Sequence, residues 1–141
     1  MMRFSRGVLL AAMAATANAC DDDPTSPAEA DDLAGTYAAI SVDGGPLPAA
    51  LEDADGDRIE LISGSLTLED NGTFAAQSNL RITLGGVVTT RTDATDGTWT
   101  LNDDTVRFDP NVVNAPDIFM VWDGNDRLSQ TFQGHTVIFE R

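Results

Sequence analysis

Residues 97–108, Gly97-Thr98-Trp99-Thr100-Leu101-Asn102-Asp103-Asp104-Thr105-Val106-Arg107-Phe108, decide the fold class of this 141-residue chain. Trp99 and Leu101 alternate with Thr98 and Thr100, and beyond Asn102-Asp103-Asp104 the pattern resumes with Val106 and Phe108 alternating with Thr105 and Arg107. Successive side chains of a strand point to opposite faces, so this period of two describes strands dry on one face and wet on the other. An Asn-Asp-Asp cluster between two such runs is a turn. The stretch therefore reads as a β-hairpin.

Working outward, the same grammar repeats. GTYAAISV (35–42) runs into Asp43-Gly44, GSLTLE (64–69) into Asp70-Asn71-Gly72, and GTFAAQSNLRITL (72–84) into Gly85-Gly86. VVTTRTDAT (87–95) precedes Asp96-Gly97, which also reads as a turn, and DIFMVWD (117–123), RLSQTFQ (127–133) and HTVIFE (135–140) follow. No window has the periodicity of an amphipathic helix, although PAALEDA (48–54) could supply a helical turn or two. About nine β-prone segments with hairpin-short links make an antiparallel meander, which must hide its edges by closing. The expectation is all-β: a small up-and-down barrel of about eight strands spanning residues 33–141, with a sandwich disfavoured because it needs longer crossovers.

The first 32 residues of the sequence have a different character. Arg3 and Arg6 precede a mostly apolar run from Gly7 to Ala19, so residues 1–19 follow the order of a secretory signal peptide. A thirteen-residue helix rises only about 20 Å, short of a bilayer core of about 30 Å. Ala17-Asn18-Ala19 fits an ordinary signal-peptidase site. Followed by Cys20, the sole cysteine, the same residues resemble the lipobox of bacterial lipoproteins, despite Ala17 and Asn18 where other residues are commoner. That resemblance implies a lipid on Cys20 and a protein held on a bacterial membrane, facing the periplasm or the cell surface. The alternative leaves an exposed unpaired thiol at the start of an exported chain. Residues 21–32, DDDPTSPAEADD, carry six acids, two prolines and no large apolar residue, so residues 20–32 read as a lipidated cysteine and a disordered acidic tether.

The formal charge is -15, all eight basic residues are arginines, and two of them lie in the signal segment. An acidic surface is repelled by phosphate backbones, which excludes nucleic acid as a partner.

LAGTYAAISVDGGPLPAAL, GSLTLEDNGTF, DGTWTLNDDTVRF and GHTVIFER, taken in order, resemble the lipocalin-like domains of secreted bacterial lipoproteins. The resemblance covers residues 33–141 and implies an up-and-down barrel without shared catalytic residues. The opening GTYAAISVDGGPLP is also similar to META-type envelope domains, but the Gly-Cys-Asn stretch of those domains is missing.

Candidate chemistry is sparse. Asp53, Asp55 and Asp57 have the alternate spacing of a calcium loop, yet Arg58 and Gly64 stand where an EF-hand needs Gly and Glu. A solvated acidic loop is the plainer reading, with a weak calcium site the alternative. His135, the sole histidine, has no nucleophile elbow or zinc-pair motif around it and reads as a strand-start residue. No catalytic constellation and no cofactor motif is found. Tyr37, Phe74, Trp99 and Phe108 are the candidate interior side chains, as core packing or as the lining of a small-ligand site. Phe119 and Trp122 have opposite parity, so one of them is expected on the outer surface, and residues 109–117 form the longest link and a plausible contact loop. The functional expectation is a non-enzymatic envelope lipoprotein binding a small, partly apolar ligand; the alternative is a protein-interaction module.

Overall fold

The computed structural model describes residues 27–141. A short helix, α1 (Pro27–Leu33), precedes ten strands: β1 (Gly35–Val42), β2 (Gly45–Pro46), β3 (Ala49–Ala54), β4 (Asp57–Leu68), β5 (Thr73–Leu84), β6 (Val87–Asn102), β7 (Thr105–Pro110), β8 (Ile118–Trp122), β9 (Arg127–Phe132) and β10 (His135–Glu140). From β4 to β10 each strand pairs antiparallel with the next, and β1 pairs with both β10 and β4, which closes an eight-stranded barrel. The small strands β2 and β3 flank the closure, β2 on the far half of β1 and β3 on the near half of β4. The expected closed meander is the observed architecture.

The opening hairpin forms as its alternation dictates. Trp99 lies opposite Phe108 and Leu101 opposite Val106, and all four are buried. With Leu66, Leu68, Phe74, Met120, Leu128 and Tyr37 they fill one end of the barrel. Removing this set from water drives closure, at roughly 1.5–3 kcal/mol per large apolar side chain.

Three local expectations are corrected. Asp96-Gly97 is not a turn: β6 runs unbroken through it, sixteen residues long. Gly97 is required by close approach, since a Cβ there would lie 2.1 Å from the Asp109 carbonyl oxygen on β7 and 2.9 Å from the Phe74 ring. Residues 49–54 are strand β3 and not helical turns, because they pair with β4 from Ala49↔Leu61 to Ala54↔Asp57. The acidic run also ends earlier than its composition implies: residues 27–32, assigned to the tether, belong to helix α1, while residues 20–26 lie outside the described residues.

The helix is held by tertiary contacts that composition does not reveal. Leu33 is completely buried, and the Tyr37 hydroxyl donates to its carbonyl at 2.6 Å. The Arg141 guanidinium donates to the carbonyls of Asp32 (2.7 Å) and Ala34 (2.8 Å), placing a cation at the helix C-terminus, and stacks 5.5 Å from the Tyr37 ring. The last residue of the chain thus fastens the first described element. Asp32 lies beside the β6–β7 and β8–β9 turns, so α1 covers that end of the barrel.

Candidate functional site

With one end of the barrel packed and capped, space remains toward the other. A cavity of about 300 Å³ is walled by Leu51, Ile59, Leu61, Leu80, Val137 and Phe139, with Glu52, Arg91, Asp93, Gln130 and Gln133 supplying polar groups. A second cavity of about 160 Å³ lies deeper, against Leu66, Phe74, Phe108, Ile118 and Met120. Ser78, Gln130 and Phe139 border both, so the two succeed one another along the barrel interior. The outer space is at the lower end of the range of about 300–1,000 Å³ for small-molecule sites, and has their usual make-up of apolar walls with few polar groups.

Local irregularities shape this end. β3 and β4 slip register between Ala50↔Glu60 and Glu52↔Ile59, leaving Leu51 as the extra residue of a bulge. A bulge re-aims a side chain, and Leu51 lines the cavity. A further register shift falls between Leu61 and Ser63 on β4, beside the cavity-lining Leu61. On the rim Arg91 donates to Asp93 at 2.8 Å, so the charges there are already paired.

The four aromatic candidates divide. Phe74 and Phe108 border the deeper cavity and pack edge-to-face, with ring centroids 5.0 Å apart. Tyr37 and Trp99 border neither cavity and serve the packed end. Burial pushes the Tyr37 phenol up from its ordinary pKa despite Arg141, and the Trp99 indole donates to the Glu69 carbonyl at 3.0 Å. The residues that sequence reasoning missed are Leu51, Ile59, Leu61, Leu80 and Val137. Ile59 and Leu61 were legible: Arg58-Ile59-Glu60-Leu61 alternates as the opening hairpin does.

Asp53, Asp55 and Asp57 do not converge. They sit around the β3–β4 hairpin turn, where Asp55 (φ 54°) and Gly56 (φ 88°) adopt the left-handed pair that a two-residue turn needs. Asp57 accepts the Gly85 N–H at 3.0 Å, tying this turn to the β5–β6 turn, and Asp53 lies 4.0 Å from Arg58. Among the described residues no group of three or more His, Cys, Asp or Glu is placed to hold a metal ion.

His135 opens β10, and its Nδ1 lies 2.6 Å from Asp43 Oδ2, while Asp43 Oδ1 accepts the Thr136 N–H at 2.8 Å. The hydrogen bond to Asp43 raises the His135 pKa, and the same bond lowers that of Asp43. The pair clamps the β1–β2 turn to the start of β10. Glu60 is nearly buried and accepts two bonds from Arg81, at 2.7 and 3.0 Å, which hold its pKa below the ordinary value. Phe119 is the exposed member of its pair, whereas Trp122 packs against the core. Cys20 lies outside the described residues. Compared with family models and with curated proteins, the chain matches none.

Proposed function

We propose that this is a lipid-anchored protein of a bacterial cell envelope, exported by residues 1–19 and held through Cys20, whose barrel binds a small, partly apolar ligand without catalysing a reaction. The observation that carries the ligand reading is the interior cavity of about 300 Å³, whose walls are mostly apolar with polar side chains among them. An elongated ligand would place an apolar tail against Leu61, Leu80 and Val137 and a polar head near Gln130, Gln133 and the Arg91–Asp93 pair. Its tail could extend toward Phe74 and Phe108 through the deeper space. The anchor rests on the sequence from Arg3 to Cys20. The lipocalin-like resemblance agrees with both, as an analogy of fold.

Titration with medium-chain fatty acids and alkyl amines, read by backbone amide shifts, tests the ligand reading. Shifts clustering on β3, β4, β5 and β10 around the cavity support it, and Leu80→Trp, which fills the space, should abolish them. Mass spectrometry of the mature N-terminal peptide tests the anchor; an unmodified Cys20 thiol contradicts it.

A second reading is favoured by one surface. Val112, Val113 and Phe119 are exposed around the 111–117 link, and Val112 and Phe119 line a shallow depression there together with Phe132, which also borders the interior cavity. An apolar patch of this kind suits a protein partner in the envelope. Loss of a co-purifying protein on Phe119→Ser would favour it.

A further inference from the structure

The barrel wall is incomplete along one strand. β6 pairs with β5 from Leu84↔Val87 to Thr73↔Thr98, but with β7 only from Gly97 onward. All of Val87–Ala94 is exposed, on both faces. The direction of the backbone groups follows from the ladder. Leu84 and Val87 close a two-residue hairpin and so exchange hydrogen bonds, which assigns odd-numbered β6 residues to β5; the Trp99 N–H accordingly donates to Gly72. Even-numbered residues face the other way, and the Asp96 carbonyl does accept from the Asn111 N–H on that side. Val88, Thr90, Thr92 and Ala94 therefore present N–H and C=O groups along an edge that no described strand covers.

Proteins normally blunt such an edge with Pro, with charges that repel a second strand, Lys above all, or with a bulge. Residues 87–96 contain no Pro and no Lys, and their pairing with β5 has no register shift. The charged residues on the exposed segment, Arg91 and Asp93, have opposite sign and share a face. Antiparallel pairing of the edge with itself about Thr92 sets Arg91 of each copy opposite Asp93 of the other. Thr92 then meets Thr92, and Thr90 meets Ala94, as hydrogen-bonded pairs. Centring on Val88, Thr90 or Ala94 also aligns outward groups, but places no opposite charge across the edge from Arg91 or Asp93, which then keep only their pair within the chain. We propose that β6 is a homodimerisation edge, on which a second copy of this chain pairs antiparallel in the register centred on Thr92. This does not depend on the ligand reading.

The register makes the test specific. Directly opposed hydrogen-bonded residues have Cα atoms about 5.5 Å apart, within disulfide range. Thr92→Cys in the full chain should therefore give a disulfide-linked dimer on non-reducing gels, with the wild-type chain as control for Cys20. Thr90→Cys should not, because its symmetry mate lies about 13 Å further along the partner strand. Arg91→Asp replaces two attractions by two repulsions and should weaken association, followed by sedimentation, at least about tenfold; adding Asp93→Arg should restore it. Both residues are exposed, so unchanged thermal unfolding will show that the variants fold. Absence of the Thr92→Cys dimer, equal cross-linking at 90 and 92, or association indifferent to Arg91→Asp would overturn the proposal.

Discussion

Gly97→Ala separates two physical accounts of one position by the sign of its effect. The backbone at Gly97 does not need the left-handed region, since glycines with positive φ occur elsewhere and Gly97 is not among them. Were conformational freedom the whole matter, alanine in a strand would stabilise the protein by roughly 0.5–1 kcal/mol. The neighbours dictate the opposite. The added Cβ would sit 2.1 Å from the Asp109 carbonyl oxygen and 2.9 Å from both the Phe74 ring and the Pro110 Cα. The oxygen belongs to the backbone of β7 and must retreat by over 1 Å to reach ordinary contact. That movement strains the ladder from Gly97↔Pro110 upward and the Asn111 N–H bond to Asp96. Overpacking costs about 1–3 kcal/mol and a weakened ladder bond about 1 more, giving a loss of ~3 kcal/mol. Urea unfolding followed by circular dichroism should show a lower midpoint with nearly unchanged slope, and Tm should fall by about 10 °C. A Gly97→Ala protein as stable as the wild type would refute the close-approach argument.

Other outcomes follow from the same contacts. Arg141→Ala removes the cation from the end of α1 and should cost about 1–3 kcal/mol, with faster hydrogen exchange at Leu33 and Ala34 than elsewhere. The His135 ring, followed by NMR, should titrate above the ordinary histidine value, and Asp43→Asn should bring it down. Since the folded-state pKa is raised, the clamp's contribution is complete below about pH 6.5 and fades as pH rises through that folded value. For Glu60 the sign reverses: its pKa is lowered, so the stability from its pair with Arg81 is present above the ordinary glutamate value and lost on acidification, and Glu60→Gln should flatten that acid limb.

The fold was legible because its evidence is local. Alternation at Trp99, Leu101, Val106 and Phe108, with turn residues at Asp43-Gly44 and Gly85-Gly86, reports directly on strands and hairpins. What stayed hidden depends on distant partners. Gly97 resembles a turn residue until β7 is seen beside it, and Asp31-Asp32 resemble a tether until Arg141, over a hundred residues away, is seen bonding to that helix end. The cavity was illegible for a related reason: alternation marks which side chains point inward, while the space between them depends on bulges such as that at Leu51. Aromatic size drew attention to Tyr37 and Trp99, which fill the packed end, and away from the smaller aliphatic residues that leave room.

The central claim is that the open half of the barrel interior receives a small, partly apolar ligand. Isotope-filtered NOE spectroscopy on the labelled protein with an unlabelled medium-chain amphiphile tests it most directly. The account predicts contacts from the ligand's methylenes to the methyl groups of Leu61, Leu80 and Val137, and none to Phe119 or Val113. Contacts confined to Val112, Val113 and Phe119, or no contacts at saturating amphiphile, would contradict it.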